Sequence, residues 1–408
     1  MPAITMPEFV RFPLSVPDGS PFPVSNIPFG IFSTALDSSL NRFAELPTDA
    51  RTKVRRDIQN MITDATSPLY DREEQGHLLF PYEDVELHLP MKVGAFSDFM
   101  CSLEHVTNGG RLAGAASVPP NFFHLPLGYN GRASSVVVSG TPIARPYGMM
   151  PGKESGIPGL MPSKRLDYEV EMGIFISKPV RYGESVPARR TRDHIFGLVL
   201  LNDWSARDIQ MYEMTPLGPF NGKACGTSIS PWVVSLDALE ESGAIVTAEV
   251  GGLHGGKATS VKFLACQDDL DIEVSASISR ENGKYSAPIS RSNIKHLHWS
   301  PFQMVAHHTS AGCGLSAGDL LGTGTLSSSQ EQAGQGAGEN GNDVHNLGCL
   351  FELTENGTKP VDLGDNLSIA WLEDGDKIIL EGWAGQGSRR IGFGQVAGIV
   401  LPARPLDE

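Results

Sequence analysis

Apolar positions along the chain fall in two textures. The opening 35 residues are Pro-rich and follow no period. Residues 39–63, SLNRFAELPTDARTKVRRDIQNMIT, place Val54, Ile58, Met61 and Ile62 behind a Thr48-Asp49 start, which predicts a helix. Pro-rich turns near 79–90 and 118–126 bracket Phe96–Asn108, which reads as a loop leading into a short helix. From about residue 130 the chain becomes β-branched and turn-bounded. Strands are expected at Ser134–Ser139, Ile174–Ile176, Ile195–Leu201, Trp232–Ser235, Ile245–Val250 and Leu270–Ile278. The same texture returns at Leu320–Thr325, Leu350–Leu353, Lys377–Trp383 and Gln395–Val400, and only Asn293–Thr309 interrupts it with a helical period. The pattern predicts a mainly β (α+β) chain, with a smaller N-terminal domain over 1–118 and a β-rich domain over 119–408. There is no internal repeat. The low-complexity stretch Ser327–Asn346 reads as a solvated, flexible insertion, with a lid over a site as the sharper alternative.

Composition narrows this picture. Gly (45) and Pro (29) together make about 18% of the 408 residues, above the usual ~12%, which favours short elements joined by turns. A formal charge of −15 argues against a phosphate-tracking nucleic-acid binder or a protein held on anionic membranes. Nothing approaches the roughly 18 uncharged apolar residues of a membrane span. The N-terminus lacks a basic region ahead of an apolar run, and Leu406-Asp407-Glu408 matches no organelle address, so a cytoplasmic protein is expected. Five cysteines (Cys101, Cys225, Cys266, Cys313, Cys349), widely spaced and without a CxxC pair, read as reduced and mostly buried thiols.

Four carboxylates stand out. In Asp167-Tyr168-Glu169-Val170-Glu171, a strand's period of two puts Glu169 and Glu171 on one face, where two like charges would need a cation or would lie exposed to water. Asp203 ends the apolar run of LVLLNDWSARDIQ; it is either a salt-bridged or capping residue or a ligand. Asp98, in AFSDFM, is the fourth. Together, with no Cys or His at ligand spacing, they would make a hard-oxygen site for Mg²⁺ or Ca²⁺. His105, seven positions after Asp98, is either structural or a general base near that site.

Long blocks of the chain resemble the fumarylacetoacetase family of metal-dependent hydrolases: LPLGYNGRASSVVVSGTPIARP, RLDYEVEMGIF, LLNDWSARDIQ, PLGPFNGKACGTSISPWVV, DGDKIILEGWAG and IGFGQVAG, with PFPVSNIPFGIFST as a matching opening. The resemblance runs from about residue 91 to the end. It implies a small N-terminal β-barrel-like domain, shortened here because the chain enters the 39–63 helix directly, and a large C-terminal mixed β-roll, usually as a homodimer. It implies Mg²⁺ or Ca²⁺ on Asp98, Glu169, Glu171 and Asp203, and His105 as base, oriented by Glu352. It places Arg207, Gln210, Lys223 and Thr325 around the reacting carbonyls and Tyr129 toward the substrate. The implied reaction is hydrolytic carbon–carbon cleavage of a small β-dicarbonyl through a metal-held enolate, as in tyrosine (aromatic amino acid) catabolism.

Three positions depart from the family pattern. Met100 stands where an aromatic hydroxyl is expected, Gly114 where an arginine is, and Met214 where a tyrosine is, all three being recognition positions for the substrate's terminal carboxylate. Arg111 is a candidate substitute anchor. The chemistry is therefore expected to be retained and the substrate changed. Two other readings use the same residues: a different metal-enolate reaction (decarboxylation, dehydration, isomerisation or cyclisation) in a biosynthetic pathway, and a non-catalytic scaffold. The scaffold has no use for His105, Lys223 and Glu352 together.

Overall fold

The computed structural model describes residues 19–33, 39–152, 157–247, 261–329, 344–362 and 368–406. Two sheets organise them. The larger, of eight strands, runs in the order Leu127–Asn130, Phe96–Met100, Leu320–Gly322, Val170–Ile176, Ile195–Asp203, Thr227–Ile229 and Val136–Val138, with Val234–Ser235 also paired to Ile195–Asp203. The second, of five, runs Tyr285–Asn293, Ile272–Arg280, Lys377–Ala384, Ile391–Leu401 and Ile143–Ala144. The sequence pattern explains the difference between them. In Ile272–Arg280 and Lys377–Ala384 only alternate residues are buried, so that sheet turns one face to the core. Val170–Ile176 and Ile195–Asp203 are buried throughout, because the larger sheet is covered on both faces. One face (Met172, Ile174, Leu198, Leu200) joins the main core with Val274, Ile278, Leu380 and Phe393. The other (Phe175, Val199, Leu201, Phe96, Leu320) packs against Ala44, Met91 and Phe43 of the N-terminal part.

Several expected elements change character. Phe96–Met100 is a strand and not a loop, because it pairs parallel to Leu320–Gly322 and antiparallel to Leu127–Asn130. The helix follows it at Leu103–Leu112, started by the Ser102 hydroxyl, which accepts from the backbone N–H of His105 (3.1 Å). Leu350–Leu353 is a short helix where a strand is expected: the Asp167 carboxylate accepts the N–H groups of Leu350 (2.7 Å) and Phe351 (3.0 Å), an anchoring that local propensity does not reveal. Tyr285–Asn293 is an unanticipated edge strand, where Pro288 is tolerated. The helical period of Asn293–Thr309 resolves into a strand end, a 3₁₀ turn at Ile294–His296 and a helix at Pro301–Thr309. Of the low-complexity stretch, residues 330–343 lie outside the described residues, whereas Ser327 and Ser328 are buried. The strand expected at Ile245–Val250 is described as Ile245–Thr247.

In the N-terminal part, helices occupy Asn41–Ala44 and Thr48–Thr63, separated at Pro47, and Ile31–Ser33 pairs with Glu86–His88. The longer helix docks only partly through its apolar stripe, with Ile58, Met61 and Ile62 half-buried. Val54 is exposed, and the one buried side chain on that helix is Arg55. Its guanidinium binds Asp237 (Nε–Oδ2, 2.9 Å) and Glu241 on the Leu236–Ser242 helix and donates to the Ser25 carbonyl (3.1 Å). Removing a buried ion-pair partner costs about 3–5 kcal/mol, less when the partners reach water as these two do. Arg55→Ala should therefore lower stability by about 2–4 kcal/mol, read from the urea midpoint. An unchanged midpoint would show that the helix is held by something else.

Candidate metal centre and catalytic base

Strand parity places the carboxylates. Asp98 shares a face with Phe96, Glu171 with Phe175, and Asp203 with Val199 and Leu201, so all three extend the stripes that pack on the N-terminal part. Glu169, two residues before Glu171, bridges to Cys349 and keeps the same face. Oxygens of Asp98, Glu169, Glu171 and Asp203 all lie within 4.8 Å of one another, and all four residues are buried. Gly322 makes room for them. It sits opposite Asp98, and a Cβ there would meet Asp98 Oδ1 at 2.7 Å and Glu171 Oε2 at 2.9 Å.

Two cations lie against this cluster. Lys223 Nζ donates to Asp203 Oδ2 (2.6 Å) and to Glu169. Arg207 Nη1 meets Glu169 Oε1 (2.8 Å), its Nε donates to Asp167 Oδ2 (2.8 Å), and Nη1 also donates to Gln210 Oε1 (3.2 Å). Thr227 Oγ1 (2.7 Å) and the Tyr129 hydroxyl (3.3 Å) donate to Asp203, and the Gly324 N–H donates to Glu171 Oε2 (3.0 Å). Counting Asp167, five carboxylates face two cations. The titration follows that imbalance. Burial, then the Asp203 charge, pushes Asp98 up to about 7 against the pull of Lys223. Burial and the neighbouring carboxylates hold Glu171 well above the ordinary range. Glu169 goes the other way: burial raises it, but Lys223 and Arg207 outweigh burial and hold it below that range. Asp98 Oδ1 and Glu171 Oε1 are buried without a hydrogen-bond partner among the described residues. Unpartnered, hard, converging oxygens with surplus negative charge fit a divalent cation such as Mg²⁺ or Ca²⁺.

A second constellation stands beside it. His105 Nδ1 is 2.6 Å from Glu352 Oε2, which also accepts from Ser327 Oγ (2.7 Å) and Cys349 Sγ (3.3 Å), while Asn108 Nδ2 donates to Oε1 (3.0 Å). Burial lowers the His105 pKa, but the charge and hydrogen bond of Glu352 outweigh it, and the net shift is upward. With Nδ1 taken, Nε2 is the nitrogen left to accept a proton.

Alongside the bridge from Glu169 to Cys349, Asp167 joins the two constellations. It accepts from Arg207, which touches the cluster, and from the backbone of Leu350 and Phe351, which carry Glu352. Sequence reasoning passed over Asp167 although the two-residue period of Glu171 and Glu169 continues to it. Ser327 was hidden in the low-complexity stretch, and nothing local marked Asn108 or Gly322. Among the remaining candidates, Thr325 is buried with an unpartnered hydroxyl, Met100 is half-buried at the end of its strand, and Met214 follows the Arg207–Glu213 helix. Gly114 is exposed at φ +84°, and Arg111 is exposed in the last turn of its helix, its charge beside Glu355.

Known proteins resemble this chain over nearly its whole length. Family models described as "Fumarylacetoacetase N-terminal" and "Fumarylacetoacetate (FAA) hydrolase C-terminal" match residues 35–90 and 94–399. The chain is 37% identical to the fumarylacetoacetase of Rattus norvegicus, covering 96% of this chain and 98% of that one. It is 37% identical to that of Homo sapiens with the same coverage, and 39% identical to fumarylacetoacetase fahA of Aspergillus fumigatus over 97% of this chain and 99% of that one.

Adding Mg²⁺ or Ca²⁺ to metal-free protein should raise its unfolding temperature, since an ion at a hundred times its Kd stabilises by about 2.7 kcal/mol. Gly322→Ala, which crowds Asp98 and Glu171, and Asp98→Asn should each blunt that rise in a thermal scan. An equal rise in both variants would place the ion elsewhere.

Proposed function

The chain belongs to the fumarylacetoacetate hydrolase family, and on that premise we propose that it hydrolyses a carbon–carbon bond of a small β-diketone, giving a carboxylate and a ketone. The observation that carries this reading is the pairing of a buried four-carboxylate cluster with a Glu352-held histidine, joined through Asp167. Asp98, Glu169, Glu171 and Asp203 would hold the cation. What such a bound ion supplies is Lewis-acid polarisation of a carbonyl oxygen. The same reading carries Mg²⁺ or Ca²⁺ as that ion, a homodimer as the assembly and the cytoplasm as the location.

The chain's own residues divide the remaining work. Glu352 fixes the Nδ1–H tautomer of His105, so Nε2 takes a proton from water as the water attacks the carbonyl carbon. Glu352 itself is held by Ser327 and Asn108, which keeps the carboxylate from rotating away. The Gln210 amide N–H₂ and the Thr325 hydroxyl are donors suited to the tetrahedral oxyanion. Lys223 and Arg207 keep Glu169 ionised, Lys223 offsets part of the burial that raises Asp203, and both add positive charge where the enolate departs. Met100, Gly114 and Met214 offer no charged hydrogen bond to a terminal carboxylate, and Arg111, exposed beside Glu355, is the candidate substitute anchor. This supports a substrate less charged or larger than fumarylacetoacetate.

His105→Ala should cost roughly 10²–10⁴-fold in turnover without loss of bound ion, followed by steady-state rates and metal analysis. The raised His105 pKa puts the acid limb of kcat/KM above the ordinary imidazole value of about 6.5, with activity lost as pH falls through it. Glu352→Gln removes the raising charge and leaves burial, so the limb should move to lower pH. A limb that stays in place, or a fully active His105→Ala, would unseat the base. For the substrate, each missing charge-assisted hydrogen bond is worth roughly 1.5–3 kcal/mol. We expect kcat/KM on fumarylacetoacetate to lie below the efficient range of about 10⁴–10⁸ M⁻¹s⁻¹. A value inside that range would restore fumarylacetoacetate as the substrate.

A further inference from the structure

Cys349 adds a donor that the base does not need. Glu352 is already held by His105, Ser327 and Asn108, and the thiol contributes a fourth, weaker contact at 3.3 Å. Its distinctive contribution is chemical: it is a soft sulfur among harder groups. One donor atom each from His105, Cys349 and Glu352 lies within 4.8 Å of the other two. The three come from two anchored elements, Cys349 and Glu352 from one turn and His105 from another. His105 sits in the first turn of a helix capped by Ser102, Cys349 is pinned by its bridge to Glu169, and Glu352 follows on the turn held by Asp167. Cys349 and Glu352 are buried and His105 is half-buried, so an ion can enter from the imidazole side.

We propose that His105, Cys349 and Glu352 form a second metal site, selective for Zn²⁺-like borderline cations, whose occupation switches the base off. A thiolate, an imidazole and a carboxylate with water in the fourth position make a tetrahedral zinc donor set. The four-oxygen cluster prefers Mg²⁺ or Ca²⁺. The two neighbouring sites therefore sort ions by softness. On binding, the thiol proton leaves to solvent as the metal–sulfur bond forms. If Nδ1 coordinates, the ring proton moves to Nε2; if Nε2 coordinates, its lone pair is consumed. Either way the imidazole can no longer accept a proton from water. The inhibitory consequence rests on the reading of His105 as base; the binding itself does not.

The test uses full-length protein saturated with Mg²⁺. Titration with Co²⁺ should produce a sulfur-to-cobalt charge-transfer absorption that saturates at one equivalent, is abolished by Zn²⁺ and is missing in Cys349→Ser. Zn²⁺ should inhibit turnover in a way that excess Mg²⁺ does not relieve. Relative to its own zinc-free rate, Cys349→Ser should need at least about tenfold more Zn²⁺, since even outer-shell partners of a metal change affinity by that much. The site is overturned if wild type gives no thiolate band, or if the band persists in Cys349→Ser. It is equally overturned if zinc inhibits both proteins alike or is displaced by Mg²⁺. Because the cobalt band is read without substrate, a protein inactive on every β-diketone that still gives the band would discard the proposed reaction and keep the site.

Discussion

Mutual repulsion among buried carboxylates is the constraint on which the rest of this structure depends. Like unit charges about 4 Å apart repel by about 4 kcal/mol at an effective dielectric of ~20. Four such groups on one sheet face persist only if something opposes them. Lys223 and Arg207 do so on one side of the cluster, at Glu169 and Asp203. On the other side, among the described residues, Asp98 and Glu171 form no salt bridge, feel Lys223 only at longer range, and carry the unpartnered oxygens. The asymmetry defines where an external positive charge belongs. It also explains why the positions between the carboxylates are small: Gly322 is a place where any side chain would displace the oxygens themselves.

Arg207 and Asp167 carry the influence of that cluster into the neighbouring base. One salt bridge touches Glu169, and the same Asp167 carboxylate terminates the backbone of the turn bearing Glu352. The turn that orients His105 and the cation that faces the cluster thus meet at one buried side chain, beside the backbone bridge from Glu169 to Cys349.

The face shared by Glu169 and Glu171 was legible because a period of two is a local property, and Asp203 because a carboxylate closing an apolar run is conspicuous. The long apolar strands were equally plain. What escaped depended on distant partners. Phe96–Met100 carries Ser and Asp and looks like a loop until Leu320–Gly322 lies beside it. Leu350–Leu353 has strand-like composition, yet an acceptor 183 residues upstream turns it into a helix. The Thr48–Thr63 helix was correctly placed by its apolar spacing, but its attachment runs through Arg55, whose partner at 2.9 Å is 182 residues away.

The pairing of Phe96–Met100 with Leu320–Gly322 also sets an order of assembly. Their registers align Asp98 with Gly322, and the hydrogen bond from Ala95 to Asp319 beside them spans 224 residues. During synthesis at about 5–20 residues per second, that interval is roughly 10–45 s. In the later half of it, after Asp203 has been made, Asp98, Glu169, Glu171 and Asp203 all exist while the strand that seats between them does not. The nascent chain therefore carries an unfinished, strongly acidic sheet edge from Asp203 until Gly322 is made. Closure by a strand that arrives late, and not the chemistry of the ligands, decides when the centre first exists.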